Sequence, residues 1–226
     1  VMGGSPFEFR NAVMTILENY PKPSVDVLMN SISTHDIERA INILGGESCE
    51  GKDKDWMCNH WLNDREYELG KNRMKCAMAL QYFLPGVPCI YYGDEAGVQG
   101  YKDPFNRRCY PWGKEDKGLI EYVKLLAEVR NSSKVFIDGK MKFLYMDDNV
   151  ISFARTRSHR KRAMIIYVNR SPYEQVIDST KTAVKDTPYY RTIHGDIVYG
   201  ERLILPPYGF AAIKVEMPLD DEKDGE

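Results

Sequence analysis

The chain has 226 residues, of which 43% are hydrophobic, 12% aromatic and 28% charged, so it carries enough apolar material for a core and is neither disordered nor fibrous. A formal net charge of −2 provides no overall basic field for nucleic acid. The longest apolar runs, such as Val87 to Tyr92, fall far short of the roughly 20 residues a helix needs to cross a bilayer.

Val1-Met2-Gly3-Gly4 has no charged leader region and runs straight into an amphipathic pattern, so a cut end without a signal peptide is expected there. Ser5, Pro6 and Glu8 then form a capping box with proline at the first helical position. Phe9, Ala12, Val13, Ile16, Leu17 and Tyr20 follow at helical spacing, and Pro21 and Pro23 end the helix. Val25 to Ile32 reads as a strand covered on both faces, as in a parallel sheet. Asp36 to Leu44 predicts a short helix closed by Gly45-Gly46, and Glu47 to Trp61 a polar excursion holding Trp56 and Trp61. Asn63 and Glu66 frame a second capping box, opening a helix that runs to about Leu84 and is apolar nearly all round in its second half. Val87 to Tyr92 is a second buried strand, so strand, helix and strand make a right-handed βαβ unit. Gly93 to Gly113 is a polar loop, and Asp116 to Asn131 a helix with Leu119, Tyr122, Val123, Leu126 and Val129 on one face.

After Gly139 the pattern becomes all β. Strands are expected at Met141 to Met146, Val150 to Thr156, Ala163 to Asn169, Tyr189 to Ile193, Arg202 to Leu205 and Gly209 to Val215, as in an antiparallel sandwich that forms its own hydrophobic unit. Arg155 to Arg162 reads as a solvated basic hairpin tip that includes His159, and Leu219 to Glu226 as a frayed acidic tail. Two parallel strands do not make a stable sheet alone, so the first 115 or so residues look like the closing third of a larger βα array.

Cys49, Cys58, Cys76, Cys89 and Cys109 are odd in number and irregularly spaced, which suits reduced thiols in a cytoplasmic protein better than a disulfide framework. Cys49, Cys58 and His60 lack the C-x-x-C pairing of zinc sites, and no phosphate loop is present, so no metal or cofactor is expected. Ligand sites in βα arrays lie at the carboxyl ends of the strands. Here those ends carry Ser33-Thr34-His35-Asp36 with Glu38-Arg39, and Tyr91-Tyr92-Gly93-Asp94-Glu95 with Asp103, Asn106, Arg107 and Arg108 beyond. Carboxylates, histidine, arginines and tyrosines on one face suit a polyhydroxylated substrate. Two plainer readings stand beside this one: Asp36 as a helix N-cap, and Asp103 to Arg108 as a surface ion-pair network. Trp56 and Trp61 suit sugar stacking and core packing equally, whereas Tyr189, Tyr190 and Tyr208 fit sandwich packing.

The stretch Leu28-Met29-Asn30-Ser31-Ile32-Ser33-Thr34-His35-Asp36, with Arg39 after it, resembles the last catalytic motif of the alpha-amylase superfamily of glycoside hydrolases. Leu84-Pro85-Gly86-Val87-Pro88-Cys89-Ile90-Tyr91-Tyr92-Gly93-Asp94-Glu95 resembles that superfamily's eighth barrel strand and its turn. Asp103-Pro104-Phe105-Asn106-Arg107-Arg108, with Pro111-Trp112 behind, is similar to a loop of the neopullulanase, cyclomaltodextrinase and maltogenic amylase group. Thr34 and Ile37-Glu38 depart from the usual residues beside the motif. The resemblance implies an α/β fold: the last part of a (β/α)8 TIM barrel (residues 1–135), an antiparallel β-sandwich (136–217) and an acidic tail (218–226). It implies retaining hydrolysis or transfer at α-glucosidic bonds. By the same resemblance Asp36 is the catalytic carboxylate that stabilises the transition state, His35 binds substrate beside it, and Asp103 and Arg107 grip a neighbouring glucose. The nucleophile and acid/base would come from strands upstream of Val1. The expected partners are therefore an α-glucan oligosaccharide and the missing N-terminal part of the barrel, with self-association as the alternative for the exposed edges. A non-catalytic carbohydrate-binding or scaffold module is the rival function.

Overall fold

In a computed structural model of the chain, the described residues are 4–157, 162–178, 190–194, 196–198 and 202–216. The first helix, α1 (Pro6–Asn19), starts as its sequence dictates: Ser5 accepts from the Phe7 amide and Glu8 folds back to the Ser5 amide. Then come α2 (Lys22–Asp26), β1 (Met29–Asn30), α3 (Ala40–Gly45), α4 (Lys54–Asn59), α5 (Asp64–Phe83), β2 (Val87–Pro88), α6 (Lys117–Asn131) and α7 (Val135–Asp138). The strands after them are β3 (Lys140–Met146), β4 (Val150–Arg157), β5 (Arg162–Asn169), β6 (Gln175–Asp178), β7 (Tyr190–His194), β8 (Asp196–Val198), β9 (Arg202–Leu205) and β10 (Phe210–Glu216). These elements divide between two compact units. One holds Val27–Tyr82 and Gly86–Glu128; the other holds the described residues of Ser5–Asp26, Phe83–Pro85 and Val129–Glu226.

In the first unit β1 and β2 pair in parallel, Met29 opposite Val87 and Asn30 opposite Pro88. The ladder is shorter than the expected strands, and the segment expected to open the first one is helical. The Ser24 and Val25 amides both donate to the Pro21 carbonyl, which turns Lys22–Asp26 into α2. Val27 and Met29 are 70% and 71% exposed, so one face of this ladder has no cover among the described residues. The crossover between the strands contains α3 and α5, which approach backbone to backbone at Gly45 and Gly70: a Cβ on Gly70 would lie 2.4 Å from the Ile41 carbonyl oxygen. The Asn63–Glu66 box caps α5, with both reciprocal bonds at 3.0 Å. Beyond it Met74, Cys76, Met78 and Ala79 are buried, as are Leu119 and Leu126 of α6. The Asp116 carboxylate caps α6 at Leu119 and also accepts from Tyr67 and Lys71 of α5.

The second unit is a sandwich of two antiparallel sheets, a five-stranded one in the order β3-β4-β5-β10-β7 and a three-stranded one in the order β6-β9-β8. Ala154 of β4, Ile165 and Tyr167 of β5 and Ala211, Ile213 and Val215 of β10 meet Ile177, Leu203 and Leu205 of the smaller sheet in one core. The opposite face of the larger sheet is covered too. Phe210 and Phe136 both meet the Phe83 ring, at 5.5 and 5.3 Å, and Phe9 of α1 meets Phe143 at 6.4 Å. β4 and β5 are therefore buried on both faces along most of their length.

One basic residue expected at a solvated tip is not there. Arg155 is fully buried and donates to the carbonyls of Gly139 and Phe83 at 3.0 and 3.1 Å. Burial pulls its guanidinium down to about 10. Arg157 pairs with Asp138 at 2.9 Å. Residues 158–161 of that tip, His159 among them, lie outside the described residues, as do Tyr189 and the acidic tail. No described helix is long and apolar enough to cross a membrane.

Candidate functional site

The site is built around the turn from Ser33 to Arg39, between β1 and α3. Arg39 is fully buried. Its guanidinium lies against the rings of Tyr91 and Tyr92, 4.1 and 4.7 Å from their centroids. Nε donates to the Asn106 carbonyl at 2.7 Å, and Nη1 donates to the Tyr92 carbonyl at 2.5 Å and to Asp94 Oδ1 at 3.1 Å. The Arg39 amide donates to the Gly100 carbonyl, so the turn is sewn into the loop after β2 from several directions. Burial pushes the Asp94 carboxyl up, while the Ser33 hydroxyl and Arg39 work the other way.

Asn106 forms the second joint. It is buried, and its side-chain amide donates to the carbonyls of His35 and Ile37, both at 2.8 Å. Those two carbonyls flank Asp36, so the carboxamide fixes the backbone on either side of that carboxylate. Next in sequence, Arg107 donates to the same His35 carbonyl at 3.2 Å and pairs through Nε with Asp103 at 2.8 Å. The His35 ring nitrogen Nε2 lies 3.2 Å from Asp36 Oδ1, and these two side chains are 64% and 72% exposed. Asp36, His35, Arg107 and Asp103 thus form one connected, solvent-facing series.

Asp36 does not cap α3. That helix begins at Ala40, whose amide donates to the Ser33 hydroxyl at 3.0 Å, while the Asp36 amide itself donates to Thr34 Oγ1 at 3.2 Å. The Asp103–Arg107 pair does have the exposed i,i+4 geometry of a surface ion pair, which stabilises the fold little and leaves both groups able to exchange partners with a ligand. Arg39, Asp94 and Asn106 hold the site together although they stood in the sequence only as members of motifs. The one signal for them was position: an arginine right before an apolar helix start, and polar residues right after a buried strand. Chemically, two carboxylates accept, an arginine donates and a histidine does either, beside the half-exposed Tyr92 ring. Such a surface suits vicinal hydroxyls.

Trp56 belongs to packing: it stacks on His60 at 4.0 Å and meets Tyr101 at 4.9 Å. Trp61 is 55% exposed. Among the described residues no three His, Cys, Asp or Glu side chains come together as metal ligands. Cys49 donates to Glu38 at 3.0 Å, with its thiol pushed up mainly by burial, and all five cysteines are free thiols.

No family model matches the chain. Individual relatives do. It is 33% identical over 198 residues to an amylopullulanase of Thermoanaerobacterium saccharolyticum, a match covering 83% of this chain and 15% of the relative. It is 28% identical over 227 residues to a cyclomaltodextrinase of Geobacillus thermopakistaniensis, covering 94% and 33%. The chain therefore spans a third or less of the length of these curated relatives. The crystal structure of a debranching enzyme from Nostoc punctiforme superimposes with a TM-score of 0.69 at 21% identity, over 92% of this chain and 38% of that one. On these likenesses the chain is similar to a C-terminal portion of longer alpha-amylase family enzymes, whose fold it shares.

Proposed function

We propose that the chain is the substrate-gripping portion of a retaining, α-glucan-acting glycoside hydrolase. On this reading the βα part continues a (β/α)8 barrel to about residue 135, and the sandwich from about 136 to 217 is its C-terminal domain. Asp36 steadies the positive charge that develops at the anomeric carbon and holds sugar hydroxyls, with His35 beside it. Asp103 and Arg107 grip the next glucose. The observation that carries the reading is the joint at Asn106 and Arg107, which ties the loop bearing Asp103 to the carbonyls on both sides of Asp36. Glucosidic cleavage with retention needs two carboxyl groups about 5 Å apart, a nucleophile and an acid/base. Neither role falls to a residue of these motifs, so both are assigned to polypeptide outside these 226 residues. That polypeptide and maltooligosaccharides, cyclodextrins or starch-like chains are the proposed partners. Five free cysteines support a reducing, cytoplasmic setting.

The test is a reducing-end assay with maltotriose and β-cyclodextrin, on this chain and on a longer polypeptide carrying the two carboxylates. The chain alone is expected to be inactive and the longer form active. There Asp36→Asn lowers kcat far more than it raises KM, whereas Asp103→Ala and Arg107→Ala mainly raise KM. Turnover by the chain alone at the longer form's rate would overturn the proposal, and an inactive longer form would favour a binding module.

A further inference from the structure

A second concavity in the βα unit lies apart from the series Asp36–His35–Arg107–Asp103. Its volume is about 350 Å³, and its walls include Trp61, Tyr67, Gln99, Arg108, Pro111 and Lys114. That is the lower end of the range for small-molecule sites, roughly 300–1,000 Å³. At its rim the Trp61 indole is 55% exposed, yet it is held still. The Arg108 guanidinium stacks over it with the carbon 3.7 Å from the ring centroid, and Arg108 Nη2 is anchored on the Cys58 carbonyl at 2.7 Å. The adjacent arginines therefore serve different places, Arg107 the His35 carbonyl and Arg108 the indole. Arg108 Nη1 is buried and has no hydrogen-bond partner among the described residues, so beside its stack on the indole this side chain keeps one donor unspent.

The polar groups lining the cleft are Tyr67, Gln99, Arg108, Cys109 and Lys114, with no carboxylate among them. Gln99 spends its carbonyl oxygen on the Leu62 amide at 2.9 Å, which leaves its side-chain N–H₂ unpaired among the described residues. Lys114 has no ion pair among them. The Tyr67 hydroxyl donates to Asp116 at 3.0 Å and keeps a lone pair for a further donor. A rigid indole beside a small set of amide, ammonium and phenolic groups matches a flat ring with an apolar face and a hydroxylated edge. The Asp116 carboxylate, which accepts from the Tyr67 hydroxyl at 3.0 Å, disfavours an anion at that end of the cleft.

We propose that this cleft binds a neutral glucosyl unit of an α-glucan, stacked on Trp61 and hydrogen-bonded by Gln99 and Lys114, as a site distinct from the one centred on Asp36. The identity of the sugar rests on the function proposed above; the cleft itself does not. Arg108 is its positioning residue, acting through the indole.

The experiment is an NMR titration of the full chain with maltotriose. The readouts are the three tryptophan indole N–H signals (Trp56, Trp61 and Trp112), the Gln99 side-chain amide and the backbone amides of Asp36 and Arg107. The Trp61 indole and Gln99 amide are expected to shift together and saturate with a dissociation constant in the millimolar range. Trp61→Ala should abolish the Gln99 shift. Arg108→Lys, which keeps the charge and loses the planar stack, should weaken binding by about tenfold. Arg107→Ala should leave the Trp61 titration unchanged. Shifts at Trp61 with none at Asp36 or Arg107 would sustain this cleft and count against the proposed grip. A Trp61 signal that does not move, that moves without saturating, or that is lost in Arg107→Ala would overturn the second site.

Discussion

Alanine for glycine inside a helix ordinarily stabilises a protein by about 1 kcal/mol, since glycine gives up the most backbone freedom on folding. Gly70 and Gly118 both lie in helices, α5 and α6, and the structure separates them. A Cβ at Gly70 would stand 2.4 Å from the Ile41 carbonyl oxygen, and that atom belongs to helical backbone that cannot rotate away. Reaching even 3.0 Å requires α3 to withdraw by about 0.6 Å. That withdrawal would strain the Gly45 crossing and move the helix that begins next to buried Arg39. Overpacking of this kind costs about 1–3 kcal/mol, which meets or exceeds the propensity gain, so Gly70→Ala should be a net loss of up to about 2 kcal/mol. At Gly118 the nearest atoms are Asp116 Oδ1 at 3.2 Å and Lys71 Nζ at 3.4 Å, side-chain ends that need give only by a few tenths of an ångström while keeping their bonds to each other and to the Leu119 amide. Gly118→Ala should therefore gain up to about 1 kcal/mol. Urea unfolding followed by far-ultraviolet circular dichroism gives both values from the midpoints at constant m. Stabilisation by Gly70→Ala would refute the backbone crossing, and equal losses at both positions would refute the distinction.

Three further outcomes are expected. Arg155→Ala strips donors from the buried Gly139 and Phe83 carbonyls and should cost about 3–5 kcal/mol in the same unfolding assay; a loss below about 1 kcal/mol would mean those carbonyls find other donors. Tyr145 donates to Asp147 and its phenol is pushed up to about 12, first by that bond and then by burial, so the folded state holds this proton more tightly than the unfolded one. Its stabilising share is complete below the ordinary tyrosine value and declines as pH rises toward 12; difference absorbance at about 295 nm, comparing the chain with Tyr145→Phe, should show one phenol missing from the late-titrating set. Val27, Met29 and Val87 expose an apolar face beside open strand edges, so light scattering should show association growing with concentration, and Met29→Lys should reduce it.

Where local chemistry decides, the sequence could be read directly. Ser5–Glu8 and Asn63–Glu66 mark helix starts through reciprocal bonds that span three residues, and both boxes form. The sandwich strands with several apolar residues can be seen, four-residue β9 with its three among them, whereas β6 and β8 carry only two adjacent apolar residues each and show no period. The first strand was overextended because Val25, Val27 and Leu28 fit a strand or a helical turn equally well, and the Pro21 carbonyl chose between them. Arg155 looked solvated by its charged neighbours. Alternation told otherwise, since it shares a face with Phe153 two residues before it, which is fully buried. At the site, His35, Asp36, Asp103 and Arg107 stand in recognisable motifs. The buried residues that join them belong to long-range contacts, between positions as far apart as 35 and 106, which no local pattern encodes.

That division has an energetic reason. The Arg39–Asp94 pair lies with its side chains 0% and 2% exposed, and a buried ion pair is a poor source of stability because desolvation offsets most of its attraction. An apolar pair of equal volume would fold at least as well. Such a pair would lack the further donors that Arg39 extends to the Tyr92 and Asn106 carbonyls, and those bonds set the loop carrying Asn106 against the turn carrying Asp36. What the buried charges secure is geometry. Asp36, His35, Asp103 and Arg107 remain largely solvated, each able to trade its present contact for a ligand at little cost, while the backbone beneath them is pinned. Polar groups held in place before the ligand arrives need not be ordered when it binds, and on the proposed reading that preorganisation is the contribution of this chain to catalysis.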